Sequence, residues 1–91
     1  MKFTRTTLEK IENIFKENGY TVRYAKGSFQ SGYAFVENKK IVVINKFFDT
    51  EGRINTLLDI LSFIELDVTL LSEKSAEFHK KIQKLGVQTA A

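Results

Sequence analysis

The sequence predicts an α+β domain with an N-terminal helix, a three-stranded antiparallel sheet, a central apolar helix and a C-terminal helix. Three observations carry that expectation. Apolar residues recur at helical spacing in three separate segments, they alternate with polar residues between the first two of those segments, and no proline interrupts either pattern. A chain of 91 residues has room for one modest core. We therefore assign residues 1–86 to a single α+β domain and residues 87–91, VQTAA, to a frayed C-terminal tail.

The first helix is expected over 6–18. Thr6 and Glu9 have capping-box spacing, Leu8, Ile11, Ile14 and Phe15 supply the apolar stripe, and Asn18-Gly19 ends it. YTVRYAK then alternates Tyr20, Val22 and Tyr24 with Thr21, Arg23 and Ala25, the period of a strand. Gly27 and Gly32 bracket a polar loop carrying one aromatic, Phe29. YAFVE and KIVVINK flank Asn38-Lys39, which reads as a two-residue turn that lacks the glycine a type I′ turn prefers. In that register Tyr33 faces Ile44, Phe35 faces Val42 and Glu37 faces Lys40.

The second helix is expected over 51–65, capped by Asp49 or Thr50, with Glu51 in the first turn where the dipole favours it. Ile54, Leu57, Leu58, Leu61 and Ile64 make its stripe, and Ile60 and Phe63 lie off that stripe. The helix is thus apolar around more than half its circumference and should be packed on two sides. Phe78, Ile82 and Leu85 of the third helix, which Ser72 caps, are the unassigned apolar stripe that could cover the flank of Ile60 and Phe63. Residues 66–70, LDVTL, read equally as a short extra strand or as a linker.

Composition excludes more than it identifies. The absence of cysteine removes disulfides, thiol catalysis and thiolate metal sites. The opening MKFTRTTLEK has no apolar run and no apolar stretch is long enough to span a bilayer, so the expectation is a cytoplasmic protein with no membrane partner. A net charge of +3 is far below the basic stripe of a dedicated nucleic-acid binder and disfavours nucleic acid as a partner. His79 is the sole histidine, one helical turn after Ser75, and no orienting acid or oxyanion donor is apparent in the sequence. Glu9, Glu12, Glu73 and Glu77 fit capping and solvation, and Lys80, Lys81 and Lys84 suit a dipole-matched helix end. GSFQSGYA spaces its glycines as a phosphate loop does, yet Tyr33 and Ala34 stand where Lys and Ser or Thr would be needed.

Gly32, Tyr33, Ala34, Phe35 and Val36 resemble the base-stacking strand of RNA-recognition modules, with Ser31 in place of the cation and Asn38 in place of the last aromatic. That family next requires a helix, where this chain supplies KKIVVINK, and we judge the match coincidental. KKIVVINKFFDTEGRINTLLDIL resembles the core of small bacterial zinc metallopeptidases of the immunity-repressor and radiation-response type, over residues 6–65. On that resemblance the two histidine ligands fall on Asp59 and Phe63 and the catalytic glutamate on Ile60, which implies a scaffold without its metal or its chemistry. The whole chain also resembles a small bacterial family whose likeness implies no activity. The expectation is a non-enzymatic interaction or regulatory module with no cofactor, binding a protein partner or forming a homodimer. Its candidate binding residues are Arg23, Tyr24, Phe29, Tyr33 and Phe35; the alternative is RNA binding through the sheet aromatics and nearby basic residues.

Overall fold

The computed structural model describes residues 2–26 and 33–90, with side chains at all of these except 33–37 and 85–90. The elements run α1 (Arg5–Glu17), β1 (Thr21–Ala25), β2 (Tyr33–Val36), β3 (Ile41–Asn45), α2 (Thr50–Leu61) and α3 (Glu73–Ala90), and two short 3-10 turns lie at Glu37–Lys39 and Val68–Leu70. The class is α+β as expected; the sheet is not purely antiparallel. Its order is β1-β3-β2, with β1 parallel to β3 and β2 antiparallel to β3.

The physical reason lies in β3. Val42 and Ile44 are fully buried and Ile41, Val43 and Asn45 are half-buried, so this strand gains most from a neighbour on each side. β1, which carries exposed Thr21 and Arg23, suits an edge, because a cation on an edge strand discourages unwanted pairing. The hairpin of β2 and β3 keeps the expected register, Tyr33 opposite Ile44 and Phe35 opposite Val42. Its connection is longer than two residues: the ladder stops at Val36 opposite Ile41, a 3-10 turn takes Glu37–Lys39, and Lys40 adopts φ 52°. Glu37 and Lys40 therefore do not form the ladder pair that a tight turn would give. Without a glycine at the second turn position, the chain moves its left-handed residue to the end of a longer loop.

The start of α1 also shifts, to a cap at Thr4, whose Oγ1 accepts the Thr7 amide at 3.3 Å. Its end is a glycine-dependent stop. Gly19 has φ +83°, its N–H donates to the Lys16 carbonyl at 3.0 Å and that of Tyr20 to Phe15 at 2.9 Å. The ring of Phe15 then meets Tyr20 edge-on at 5.9 Å, supplying the apolar contact that accompanies such caps.

Asp49 is the cap of α2, accepting the Gly52 amide at 2.8 Å, and Ser72 caps α3 by accepting the Ser75 amide at 3.3 Å. α2 ends at Leu61 rather than 65, where the Ser62 hydroxyl turns back to the Asp59 carbonyl at 2.5 Å. Residues 66–70 are neither strand nor open linker; Val68–Leu70 form a 3-10 turn capped by Asp67. α3 continues through Gly86, since one glycine weakens a helix without ending it.

The core joins Leu8, Ile11, Ile14 and Phe15 of α1 to Val42 and Ile44 of β3 and to Ile54, Leu57, Ile60 and Leu61 of α2. Ile60 is fully buried while Phe63 is 53% exposed, so only one of the two residues off the α2 stripe is covered. α3 packs on α1, bringing Phe78 and Ile82 to the core there. The helices share the sheet face of Val42 and Ile44. On the other face Thr21, Arg23, Ala25, Ile41, Val43 and Asn45 are all exposed or half-buried.

Candidate functional site along the edge strand

A parallel ladder turns alternate residues of a strand toward one neighbour and leaves the residues between them facing the other way. The Thr21 amide donates to Lys40 at 2.8 Å, and the Lys46 amide donates to Ala25 at 3.1 Å. With Arg23 opposite Val43, residues 21, 23 and 25 spend their backbone groups on β3. The N–H and C=O of Val22 and Tyr24 therefore face outward, and among the described residues no backbone partner meets them. β1 is an open edge.

Beside that edge runs a groove of about 450 Å³, lined by Glu9, Glu12, Asn13 and Lys16 of α1 and by Tyr20, Thr21 and Val22. Helical spacing puts the four α1 residues on one flank, next to the apolar stripe that faces the core. The groove thus pairs a polar helix flank with a strand whose outward backbone groups are unspent.

Its far end is held by a cluster around Tyr24. The phenol donates a hydrogen bond to the Glu12 carboxylate. Arg53 lies over the ring, 4.4 Å from its centroid, while its Nε donates to the Phe48 carbonyl at 3.0 Å and its Nη2 to the Lys46 carbonyl at 2.8 Å. Burial, then the hydrogen bond to Glu12 and its charge, push the phenol's pKa well above the ordinary tyrosine value against the opposing pull of Arg53. Tyr24 is therefore a protonated donor throughout the neutral range, an anchor and not a base. The cluster ties α1, β1 and the turn before α2 together.

The sequence-predicted site residues separate. Arg23 and Tyr24 are adjacent on β1 but on opposite faces, Arg23 exposed and Tyr24 half-buried on the helix side. Tyr33 and Phe35 lie in β2, across β3 from β1, at positions whose ladder partners Ile44 and Val42 are fully buried; their side chains lie outside the described set. Phe29 lies outside the described residues altogether. The groove residues of α1 and β1, Asn13, Lys16 and Val22 among them, and both partners of Tyr24 escaped sequence reasoning. Glu12 gave no signal beyond a polar helix position, and Arg53 stood out only as the turn cation in the peptidase-like stretch.

Other candidate chemistries do not assemble. Ser75 and His79 are both buried, yet no hydrogen bond joins them, and burial holds His79 below the ordinary imidazole pKa. Glu17 lies close by, but its carboxylate accepts the Ser72 amide at 3.0 Å, and it is held below its ordinary pKa mainly by that bond. Asp59 and Phe63 are exposed and Ile60 is in the core, so the three peptidase-like positions do not face a common point. Among the described residues no three His, Asp or Glu side chains come together as a metal site would require, and no helix is long and apolar enough to cross a membrane. Lys80, Lys81 and Lys84 are exposed along α3. No protein-family model, curated protein or solved structure matches this chain.

Proposed function

We propose that this protein is a non-enzymatic interaction module that takes an extended segment of a partner protein as an added strand on the outer edge of β1. One observation carries the reading: the outward N–H and C=O groups of Val22 and Tyr24 lie beside a groove of about 450 Å³. Backbone bonds would supply affinity, and the α1 flank would read alternate side chains. The non-enzymatic half rests on side-chain chemistry. Tyr24 is locked as a donor, Ser75 makes no hydrogen bond to His79, the chain's sole histidine, and the peptidase-like positions hold Asp59, Ile60 and Phe63.

The test uses Val22→Pro. Proline is tolerated in an edge strand where its missing N–H would have faced outward, so this variant should stay folded while losing the first donor of the edge. The probe is a terminally blocked nonapeptide of alternating Thr and Val, titrated into isotopically labelled protein. Amide shifts at Thr21–Ala25 and along Glu9–Lys16, with slowed exchange at Val22 and Tyr24 and none of this in Val22→Pro, are the expected result. Shifts that map to α3 or to β2 would refute the proposal. Unchanged melting on adding zinc is expected as well, since a metal bound only by the folded state would raise it.

A further inference from the structure

Arg23 stands at the middle of the open edge, exposed, and among the described residues it makes no ion pair. Consider first a second copy of the chain on this edge. Antiparallel self-pairing centred on Arg23 sets Val22 of one copy against Tyr24 of the other, the two strand residues whose N–H and C=O face outward. That register places Arg23 directly opposite Arg23 in a non-hydrogen-bonded pair, where Cα atoms approach to about 4.5 Å. Like charges so placed are destabilising. Moving the register so that Val22 faces Val22 separates the arginines but calls on Tyr20, whose N–H is already given to the Phe15 carbonyl. The centred self-pairing is disfavoured.

An unlike strand meets no such conflict. Resting on the reading of β1 as a docking edge, we infer that the partner segment carries an acidic residue opposite Arg23, alternating with the residues whose side chains enter the groove. The alternation follows from the pleat. Side chains of the added strand on the face of Arg23 lie in solvent, between Thr21 and Ala25, and those on the other face enter the groove past half-buried Val22. An Asp or Glu across from Arg23 turns the repulsive position into an attractive pair. The same arginine would then disfavour the centred pairing with the chain's own copy and favour an acidic partner, repulsion and attraction at one site.

The experiment compares three blocked nonapeptides of alternating Thr and Val whose central residue is Glu, Gln or Lys, measured by fluorescence anisotropy against the intact chain. The Glu peptide should bind about three- to tenfold tighter than Gln, and Gln tighter than Lys, with the spread collapsing at about 1 M salt, where screening is nearly complete. Arg23→Glu, a substitution at an exposed position, should reverse the order. Equal binding of the three peptides, still abolished by Val22→Pro, would overturn the acidic partner and leave the docking edge standing. No binding by any of the three overturns both. A wild-type chain that sediments as a dimer, made monomeric by Val22→Pro, would show that the occupant is a second copy and refute the charge argument.

Discussion

Along one flank of α1, Lys10, Glu17 and Asn18 meet partners supplied by the chain after α2, whereas along the other Glu9, Asn13 and Lys16 line a groove beside β1. The closed flank is specific in its pairing. The Asn18 carboxamide, 4% exposed, accepts the Asp67 amide at 2.7 Å and donates to the Asp67 carbonyl at 3.2 Å, standing in for a strand neighbour. Glu17 takes the Ser72 amide, and Lys10 lies 5.5 Å from the Phe78 ring centroid. On the open flank, among the described residues, Glu12 is engaged in that way, by Tyr24. Polar side chains on one side hold the fold, and on the other they remain available, which is the asymmetry a binding surface needs.

The difference predicts its own largest test. Asn18→Ala leaves an amide and a carbonyl of Asp67 without partners, and because Asp67 itself is exposed, water recovers part of the loss. We expect about 2 kcal/mol of destabilisation in urea unfolding with peptide affinity unchanged. A comparable loss of peptide affinity in the folded variant would erase the distinction between the flanks.

Tyr24→Phe probes the open flank where it touches the fold. Losing one hydrogen bond to a carboxylate should cost about 1 to 1.5 kcal/mol, since Arg53 keeps its stacking on the ring. Its pH signature is alkaline. The folded pKa is raised, so the contribution of Tyr24 is complete below the ordinary tyrosine value of 10.0 and is lost as pH rises above it. The substituted protein should show a shallower alkaline decline in melting temperature; an unchanged decline would mean that Tyr24 is not the group responsible.

Acid separates two groups of the closed flank. His79 is kept neutral by burial, so its contribution is complete above the ordinary value of 6.5 and is lost as pH falls through the lower folded pKa. Glu17, also lowered, keeps its contribution above 4.5 and loses it on further acidification. Melting curves between pH 8 and 3 should bend twice, with His79→Gln removing the upper bend and Glu17→Gln the lower. Both bends surviving both substitutions would assign them to other titrating groups.

What was legible in the sequence was whatever depends on neighbours along the chain. Helix periodicity, the Gly19 stop, the Asp49 and Ser72 caps and the β2–β3 register are all set within a few residues. The order of the sheet was not legible, because alternation in β1 fits a parallel or an antiparallel partner equally, and the choice depends on how deeply β3 is buried. Asn18 and Asp67, 49 residues apart, gave no local sign of their pairing; nor did Glu12 and Tyr24, for glutamate on a polar helix face looks the same paired or solvated. Arg23 was visible as a candidate. That it stands alone on an open edge became visible only with the strand order.

The smallest expected effect lies on the open flank itself. Arg5 and Glu9 approach to 4.0 Å one helical turn apart, with both side chains largely exposed. Coulomb attraction there is weak in water and is offset by the entropy of holding two long side chains, so such pairs contribute about 0.3 to 0.5 kcal/mol or less. Glu9 also lines the groove, so the two roles can be pulled apart. Glu9→Gln should leave unfolding within about 0.5 kcal/mol of the wild type, indifferent to salt within error. The same substitution should alter the affinity of a peptide whose groove-side residue is changed from Val to Lys, because a carboxylate in a partly enclosed groove is less screened than one in open water. If stability falls by a kcal/mol or more while that affinity stays fixed, Glu9 belongs with the residues that hold the fold, and the open flank of α1 shrinks to Asn13 and Lys16.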